Sequence, residues 1–188
     1  DEYVFICSKD HVEGSRIDEE IKKYVPNAKI VVPEKHTEGQ AASCMLGEKL
    51  IDPESELIIA SCDNKMIFDG ETYEKLLNDK AVDAFLWTFR KNPAVNRNPE
   101  AYAYVQVNNG KVEKVSCKKT ISSDPINDHA ITGAFYFRRA KDFFDYTRKM
   151  IEKNIRVNNE FYVDLVPNEF LENGKEARVF DVASYLVF

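Results

Sequence analysis

Leu57-Ile58-Ile59-Ala60-Ser61-Cys62-Asp63-Asn64 is the stretch from which the rest of the chain is best read. Four consecutive apolar residues fit a strand buried on both faces. The run then delivers a carboxylate, Asp63. A carboxylate at the end of a buried strand is costly unless it is paired or holds a cation. In open α/β sheets the carboxyl ends of strands are also where ligands bind. Toward the N-terminus, Gln40 to Leu50 places Ala41, Ala42, Met45, Leu46 and Leu50 on one helical face. Lys29 to Val32 is another apolar strand, stopped by Pro33. Arg16 to Tyr24 is helical, with Ile17, Ile21 and Tyr24 in phase and Pro26 behind it, and Tyr3 to Cys7 is a further strand. Toward the C-terminus, Thr72 to Asn78 is a helix and Ala84 to Phe89 a strand. This β-α-β-α-β-α-β order with short connections predicts a parallel sheet covered on both faces, with right-handed crossovers.

The second half changes character. Tyr102 to Gln106 and Val112 to Ser116 alternate on either side of Asn108-Asn109-Gly110-Lys111, the signature of a β-hairpin with an Asn-Gly turn. Lys118 to His129 is polar and reads as a loop. Ile131 to Phe137 is a strand, Ala140 to Lys153 and Glu160 to Glu172 are helices, and Gly174 closes the latter. Ala177 to Phe180 and Tyr185 to Phe188 are terminal strands. No repeat, low-complexity segment or linker divides the chain. Residues 1–188 therefore read as one α/β domain: three layers around a mixed, mostly parallel sheet, with a β-hairpin in the second half.

Composition narrows the function. Of 188 residues, 44% are hydrophobic, enough for a buried core and against general disorder. The net charge of −6 argues against a general nucleic-acid binder, which needs a basic face, while leaving room for a local basic pocket. No apolar run approaches the roughly 18–20 residues of a membrane span. The chain opens Asp1-Glu2 and runs straight into a strand rather than a signal peptide. Cysteines at 7, 44, 62 and 117 form no CxxC and no zinc spacing. They read as buried free thiols of a reducing, cytoplasmic compartment. His11, His36 and His129 fit no triad or metal spacing, and there is no nucleophile elbow.

The strand ends supply the candidate residues. After Val32, the run Pro33 to Ser43 leads through Thr37 and Gly39 into a helix, whose free N–H groups and dipole suit an anion. Gly39 lets a flat ligand approach the backbone. The same residues also read as a turn with Thr37 at the cap. Asp63 suits a hard divalent ion that is shared with substrate phosphates, and reads equally as a turn carboxylate. Arg90, Lys91 and Arg97 follow another strand and either line a path for phosphates or form a solvated loop. The loop Lys118 to His129 has the length of a lid, with Lys119 and His129 as contacts.

Together, Thr37-Glu38-Gly39-Gln40-Ala41 and the Leu57 to Asn64 run resemble the sugar-phosphate nucleotidylyltransferases, or pyrophosphorylases, of GT-A-like, Rossmann-related fold. Gly110 to Lys118 resembles the family hairpin that ends in a Glu-Lys pair. Thr132-Gly133-Ala134-Phe135-Tyr136-Phe137 is similar to its glycine-containing strand, and Glu160-Phe161-Tyr162-Val163-Asp164 to its Glu-led helix. The likeness spans nearly all of the chain in the right order. It implies nucleotidyl transfer from an NTP to a sugar phosphate or similar phosphorylated acceptor, with release of pyrophosphate. Asp63 would hold Mg²⁺ and act in catalysis with Lys118, which would reach the acceptor phosphate. Thr37, Gly39, Gln40, Ala41 and Cys62 would face the nucleotide, and Gly133 and Glu160 the sugar. The implied partners are small molecules, with no nucleic acid, no membrane and room for a homo-oligomer.

The departures from the family pattern also carry expectations. Its first strand and its glycine-rich loop with Arg and Lys are missing, so the chain reads as most of such a domain and is expected to bind nucleotide weakly by itself. Cys117 stands for the Glu of the Glu-Lys pair. The chain stops before the family's closing Gly-Thr. Val187 stands about where its second metal-binding Asp would lie, and Asp181 is the nearest acidic alternative. A non-catalytic module of the same fold is one alternative. A GT-A glycosyltransferase using a sugar nucleotide is another, ranked lower because Asp63-Asn64-Lys65 lacks the second acid of Asp-x-Asp.

Overall fold

Ala84-Phe85-Leu86-Trp87-Thr88-Phe89 is buried at every position, and the fold is organised around it. A computed structural model describes residues 2–187. In chain order the elements are β1 (Val4–Ile6), α1 (Lys9–Ser15), α2 (Ile17–Tyr24), β2 (Lys29–Val31), α3 (Gln40–Met45), β3 (Leu57–Ala60), β4 (Asn64–Ile67) and α4 (Gly70–Asn78). They continue as β5 (Ala84–Phe89), α5 (Ala94–Arg97), β6 (Ala103–Asn108), β7 (Lys111–Cys117), β8 (His129–Phe137), α6 (Ala140–Glu152), α7 (Val166–Glu172), β9 (Ala177–Asp181) and β10 (Ser184–Val187). The expected terminal strand is thus present, although its last residue, Phe188, lies outside the described residues.

The sheet is mixed, as expected, but it is not mostly parallel. Its six strands run in the order β3-β8-β5-β9-β7-β6, and β6 also pairs with β8. The pairings β8–β5–β9–β7–β6–β8 therefore close a ring of five strands. Only β5–β9 in this sheet is parallel, and the other pairings are antiparallel. The sequence misleads here for a physical reason. An apolar run records that a strand is buried, not the direction of its neighbours. The long β8 inserts antiparallel between β3 and β5, two strands that the alternating order placed in parallel neighbourhoods. The parallel pair β1–β2 and the antiparallel pair β4–β10 are separate two-stranded ribbons.

Alternation along the central strands feeds two cores. Ala84 and Leu86 of β5, with Phe135 and Phe137 of β8, pack with Phe143, Met150 and Phe170 from α6 and α7. Phe85, Trp87 and Tyr136 face the other way, toward Tyr73, Leu76 and Leu77 of α4 and Met66 of β4. The second covering layer is thus a helix together with part of a ribbon. Within it Phe85 stacks on Tyr136, with centroids 4.5 Å apart, an offset contact worth about 0.5–1.5 kcal/mol beyond area burial.

Other local expectations meet tertiary structure with mixed results. The hairpin β6–β7 forms with Asn109 and Gly110 as its two turn residues. β3 is not buried: Ile58 is 53% exposed, because β3 lies at the sheet edge and pairs only with β8. The helix expected over Gln40 to Leu50 ends at Met45, and a short 3₁₀ turn, Glu48–Leu50, follows Gly47. The helix expected from Glu160 begins only at Val166. Asn158 and Asn159 take positive φ in a tight turn closed by a bridge between Val157 and Glu160, a 3₁₀ turn follows over Val163–Leu165, and Pro167 occupies the helix's first turn. Of the cysteines, Cys7 and Cys117 are buried, Cys44 is partly buried, Cys62 is exposed, and all four are free thiols. Cys62 departs from the expected burial because it follows an edge strand.

Candidate functional site

The carboxyl ends of β2, β3, β5, β7 and β9 lead into the loops that carry the sequence-derived candidates. The structure gathers these loops into three clusters.

The first joins the Gly39 loop to the turn before α7. Gly39 has φ +114°, and a Cβ placed there would sit 2.6 Å from both Phe161 N and Phe161 O. A glycine is needed on both counts. The approach allows Phe161 N–H to donate to the Glu38 carbonyl at 2.7 Å and Ala41 N–H to donate to the Phe161 carbonyl at 2.9 Å. Glu160 is thereby brought beside Gly39. Thr37 Oγ1 bonds Ser43 Oγ at 2.5 Å and the Gly39 carbonyl at 3.3 Å, so it braces the loop. Ala41 is fully buried with its N–H committed, and Gln40 is the exposed member of the set.

The second cluster holds the Asp63 turn. Gly133 of β8 has φ +88°, and a Cβ there would meet Ser61 Oγ at 2.8 Å. The register of β8 against β5 shifts at this point, between the pairs Leu86↔Phe135 and Thr88↔Ile131. Such a bulge re-aims backbone groups. Here the Gly133 carbonyl accepts Ser61 N–H at 3.1 Å and the Thr132 carbonyl accepts Asn64 Nδ2 at 3.0 Å. Asn64 also donates to Ser61 Oγ. Asp63 and Cys62 stand on top of this braced turn, both exposed. The nearest donor to the Asp63 carboxylate is Asn64 Nδ2 at 3.5 Å. β4, which carries Asn64 away from the site, was not evident in the sequence, where Lys65 interrupts the apolar pattern.

The third cluster surrounds Lys118. This residue has φ +55°, its ammonium donates to the Ala101 carbonyl, and the same group lies 5.5 Å over the Tyr162 ring. Beneath it Cys117 Sγ–H points at Asp164 Oδ2, 3.9 Å away. Burial pushes the Asp164 carboxyl up to about 6, against the pull of the Lys118 charge. Burial and the nearby Asp164 push the Cys117 thiol up to about 12. Tyr162 is likewise pushed up to about 12 by burial and a hydrogen bond with Glu160.

Tyr185 links the second and third clusters. It is buried, stacks on Phe89 at 4.3 Å, and donates weakly to the Thr132 carbonyl at 3.4 Å. Burial first, then Tyr102, Asp63 and Asp164, push its phenol up to about 12. The residue was legible only as part of a terminal strand, because its role depends on contacts with residues far back in the chain.

Asp181 is already occupied. Thr88 Oγ1 donates to it at 2.7 Å, His129 Nδ1 faces it at 2.8 Å, and Arg90 contacts its other oxygen through Nε at 2.9 Å and a terminal nitrogen at 2.7 Å. Burial opposes ionisation, yet the hydrogen bonds from His129 and Thr88 and the adjacent positive charges hold this carboxyl below its usual range. Arg90 and His129, read as phosphate or lid contacts, thus spend donors on Asp181. The loop Lys118 to His129 makes its own bonds, Ser122 to Asp128 at 2.8 Å and Asn127 to Asp124 at 2.6 Å, while Lys119 is exposed. At the position read as a second acid, the Val187 backbone is paired with Asn64.

Among the described residues no group of three or more His, Cys, Asp or Glu is close enough to hold a metal ion unaided. A surface hollow of about 700 Å³ beside Gly70, Glu74 and Asn78 of α4 lies away from these clusters. No described helix is long and apolar enough to cross a membrane.

The raised Asp164 carboxyl makes stability depend on pH. A folded value near 6 against roughly 3.9 unfolded means that the native state holds an extra proton between these values. Stability therefore falls as pH rises through that window. Asp164 is partly exposed, and solvent screening holds the cost to about 1–2 kcal/mol above pH 7. Asp164→Asn is expected to stabilise the fold by that amount at pH 8 and hardly at all at pH 4, measured by urea denaturation at both.

No protein-family model and no curated protein matches this chain. Solved structures do match in fold. A nucleoside-diphosphate-sugar pyrophosphorylase from Vibrio cholerae RC9 superposes with a TM-score of 0.77, covering 100% of this chain and 76% of that one at 16% identity. The inositol-1-phosphate CTP transferase from T. maritima superposes at 0.72, covering 100% and 69%, also at 16% identity. The chain thus has the fold of sugar-phosphate nucleotidyltransferases.

Proposed function

We propose that the protein transfers a nucleotidyl group from an NTP to a sugar phosphate or similar phosphorylated acceptor, releasing pyrophosphate. The observation that carries this reading is convergence. Motifs that the family resemblance assigns to one reaction, at Gly39, Asp63, Lys118, Gly133 and Glu160, lie far apart in sequence. Contacts link them in pairs: Gly39 with Glu160, Gly133 with the turn that carries Asp63, and Lys118 with Tyr162, two residues past Glu160. The fold likeness supports it.

In this reading Gly39 and Gln40 carry the base and ribose, with Cys62 at the edge and Thr37 and Ala41 shaping the loop. Glu160 and the Gly133 strand receive the acceptor's sugar, and Lys118 its phosphate. An acceptor phosphate oxygen attacks the α-phosphorus of the NTP, the bond from that phosphorus to the bridging oxygen breaks, and pyrophosphate leaves. The nucleophile is already ionised, so no general base is required, and positioning with charge neutralisation supplies the catalysis.

Mg²⁺ is the implied cofactor. The donor set fits it in part: Asp63 offers an exposed hard carboxylate, and Mg²⁺ is commonly held by one or two carboxylates plus substrate phosphates. Bound there with the NTP, it would neutralise developing negative charge on the phosphate oxygens. Asn64, fixed by Thr132 and Ser61, orients the turn that presents Asp63.

The test is pyrophosphate release by the protein with Mg²⁺, each NTP in turn, and a panel of sugar and alcohol phosphates. Turnover with one pairing is expected, and absence of turnover with every pairing would overturn the proposal. The commitment of Arg90 to Asp181 favours one second reading, a non-catalytic module of the same fold. Calorimetry showing nucleotide binding without turnover would support it.

A further inference from the structure

Arg156 belongs to none of the motifs that stand out in the sequence, yet every nitrogen of its guanidinium is used. NH1 and NH2 donate to Oε1 and Oε2 of Glu38 at 3.1 and 3.2 Å. NH1 also donates to the Asn159 carbonyl at 3.2 Å, and Nε to Asn154 Oδ1 at 2.6 Å. The guanidinium carbon lies 4.0 Å from the centre of the Phe161 ring. A bidentate contact with a cation held over an aromatic ring needs the planar fork of arginine and cannot be reproduced by lysine. Glu38 is held twice, through its carboxylate by Arg156 and through its carbonyl by Phe161 N–H. Arg156 is 26% exposed and Glu38 is 65% exposed, so the clamp reaches from the protein body to the loop surface.

We propose that Arg156 is a positioning residue that locks the Glu38–Gln40 loop onto the Asn159–Phe161 loop. The clamp fixes the separation between Gly39 and Gln40 on one side and Glu160 on the other. What the loops bind rests on the nucleotidyl-transfer reading; the clamp itself does not. If one loop carries the nucleotide and the other the acceptor, Arg156 couples the two binding sites without touching either ligand. Its loss therefore weakens both together, whereas loss of a residue that contacts one ligand weakens one.

The test combines local amide exchange with kinetics on Arg156→Ala, Arg156→Lys and Glu38→Gln in the full-length protein. Exchange at the Ala41 and Phe161 amides is expected to accelerate about tenfold or more in Arg156→Ala, with the Leu86 amide in β5 unchanged. KM for NTP and for acceptor should rise together, by about tenfold, with kcat within about threefold. Arg156→Lys, which keeps a cation over Phe161 but loses the fork, should fall between. Glu38→Gln guards against misfolding, because its exposed side chain can be neutralised without disturbing the core, and it should reproduce the local exchange effect. Unchanged exchange at Ala41 and Phe161 in both Arg156→Ala and Glu38→Gln, or a rise in only one KM, would overturn the proposal. If the wild type turns over no pairing, the functional reading fails, and the clamp stands or falls on the exchange result alone.

Discussion

Asp63→Ala is expected to lower kcat for nucleotidyl transfer by about 10²–10³-fold while leaving the fold almost untouched. The two halves of this expectation have separate causes. Asp63 is exposed, and its nearest donor, Asn64 Nδ2, stands 3.5 Å away, beyond a good hydrogen bond. Surface changes of this kind usually shift stability by no more than about 0.5 kcal/mol. The braces of the turn, Ser61 N–H to the Gly133 carbonyl and Asn64 Nδ2 to the Thr132 carbonyl, do not involve the Asp63 side chain. In the proposed reaction, by contrast, Asp63 is the exposed carboxylate at the strand end available to share a divalent ion with the phosphates. Losing one preorganised electrostatic group typically removes about 2.7–4 kcal/mol of transition-state stabilisation. Pyrophosphate release across a Mg²⁺ titration, beside a thermal melt of the same variant, separates the two effects. Equal turnover in variant and wild type would remove Asp63 from the mechanism.

Gly39→Ala is expected to act through the backbone, destabilising the protein by about 2–6 kcal/mol. The residue occupies φ +114°, where an L side chain is strained by about 1–3 kcal/mol. The new Cβ would also fall 2.6 Å from two backbone atoms of Phe161, and backbone cannot swing aside as a flexible side chain can. The Glu38–Phe161 and Ala41–Phe161 bonds must then lengthen or break, at about 0.5–1.5 kcal/mol each. For a chain of this size the sum corresponds to a fall in Tm of roughly 5–15 °C. Gly14→Ala is the control: it lies in α1 with nothing within 4 Å of its would-be Cβ, and it should be neutral or slightly stabilising. Urea and thermal unfolding of both variants measure the contrast. A Gly39→Ala effect no larger than that of Gly14→Ala would show that the loop tolerates separation from Phe161.

What the sequence discloses depends on the range of the interaction. β5, the Asn-Gly hairpin and the strand-end positions of Asp63 and Gly39 were legible, because each is specified by a few adjacent residues. Ile58 was misread as core because an apolar residue does not say whether its strand is central or at an edge. The direction of β8 was hidden for a related reason, since its register against β3 and β5 is set by partners remote in sequence. In the candidate site, Gly133 was marked by likeness to a family strand, but the bulge that turns its carbonyl toward Ser61 was not readable. Arg156 gives no signal, and Asp164 and Tyr185 are visible only as members of a motif and a strand, not as parts of the site. Their partners, Glu38, Cys117 and Phe89, lie tens of residues away, and nothing local marks such pairings. Asp181 shows the converse: acidic and near the right place, it is consumed by Thr88, Arg90 and His129.

The five-strand ring bears on the order of events as the chain emerges during synthesis. Among the described residues β9 alone pairs with both β5 and β7, so the ring cannot close until residues 177–181 are laid between strands made much earlier. Until then Thr88 and Arg90 lack Asp181, and Phe89 lacks Tyr185. Contacts of such high sequence separation carry a large loop-closure cost and form slowly. The end of β5 and the Arg90 segment that follows it therefore reach their final arrangement among the last events of folding. A nascent or partly unfolded chain retains the motifs but not the geometry that would let them work together.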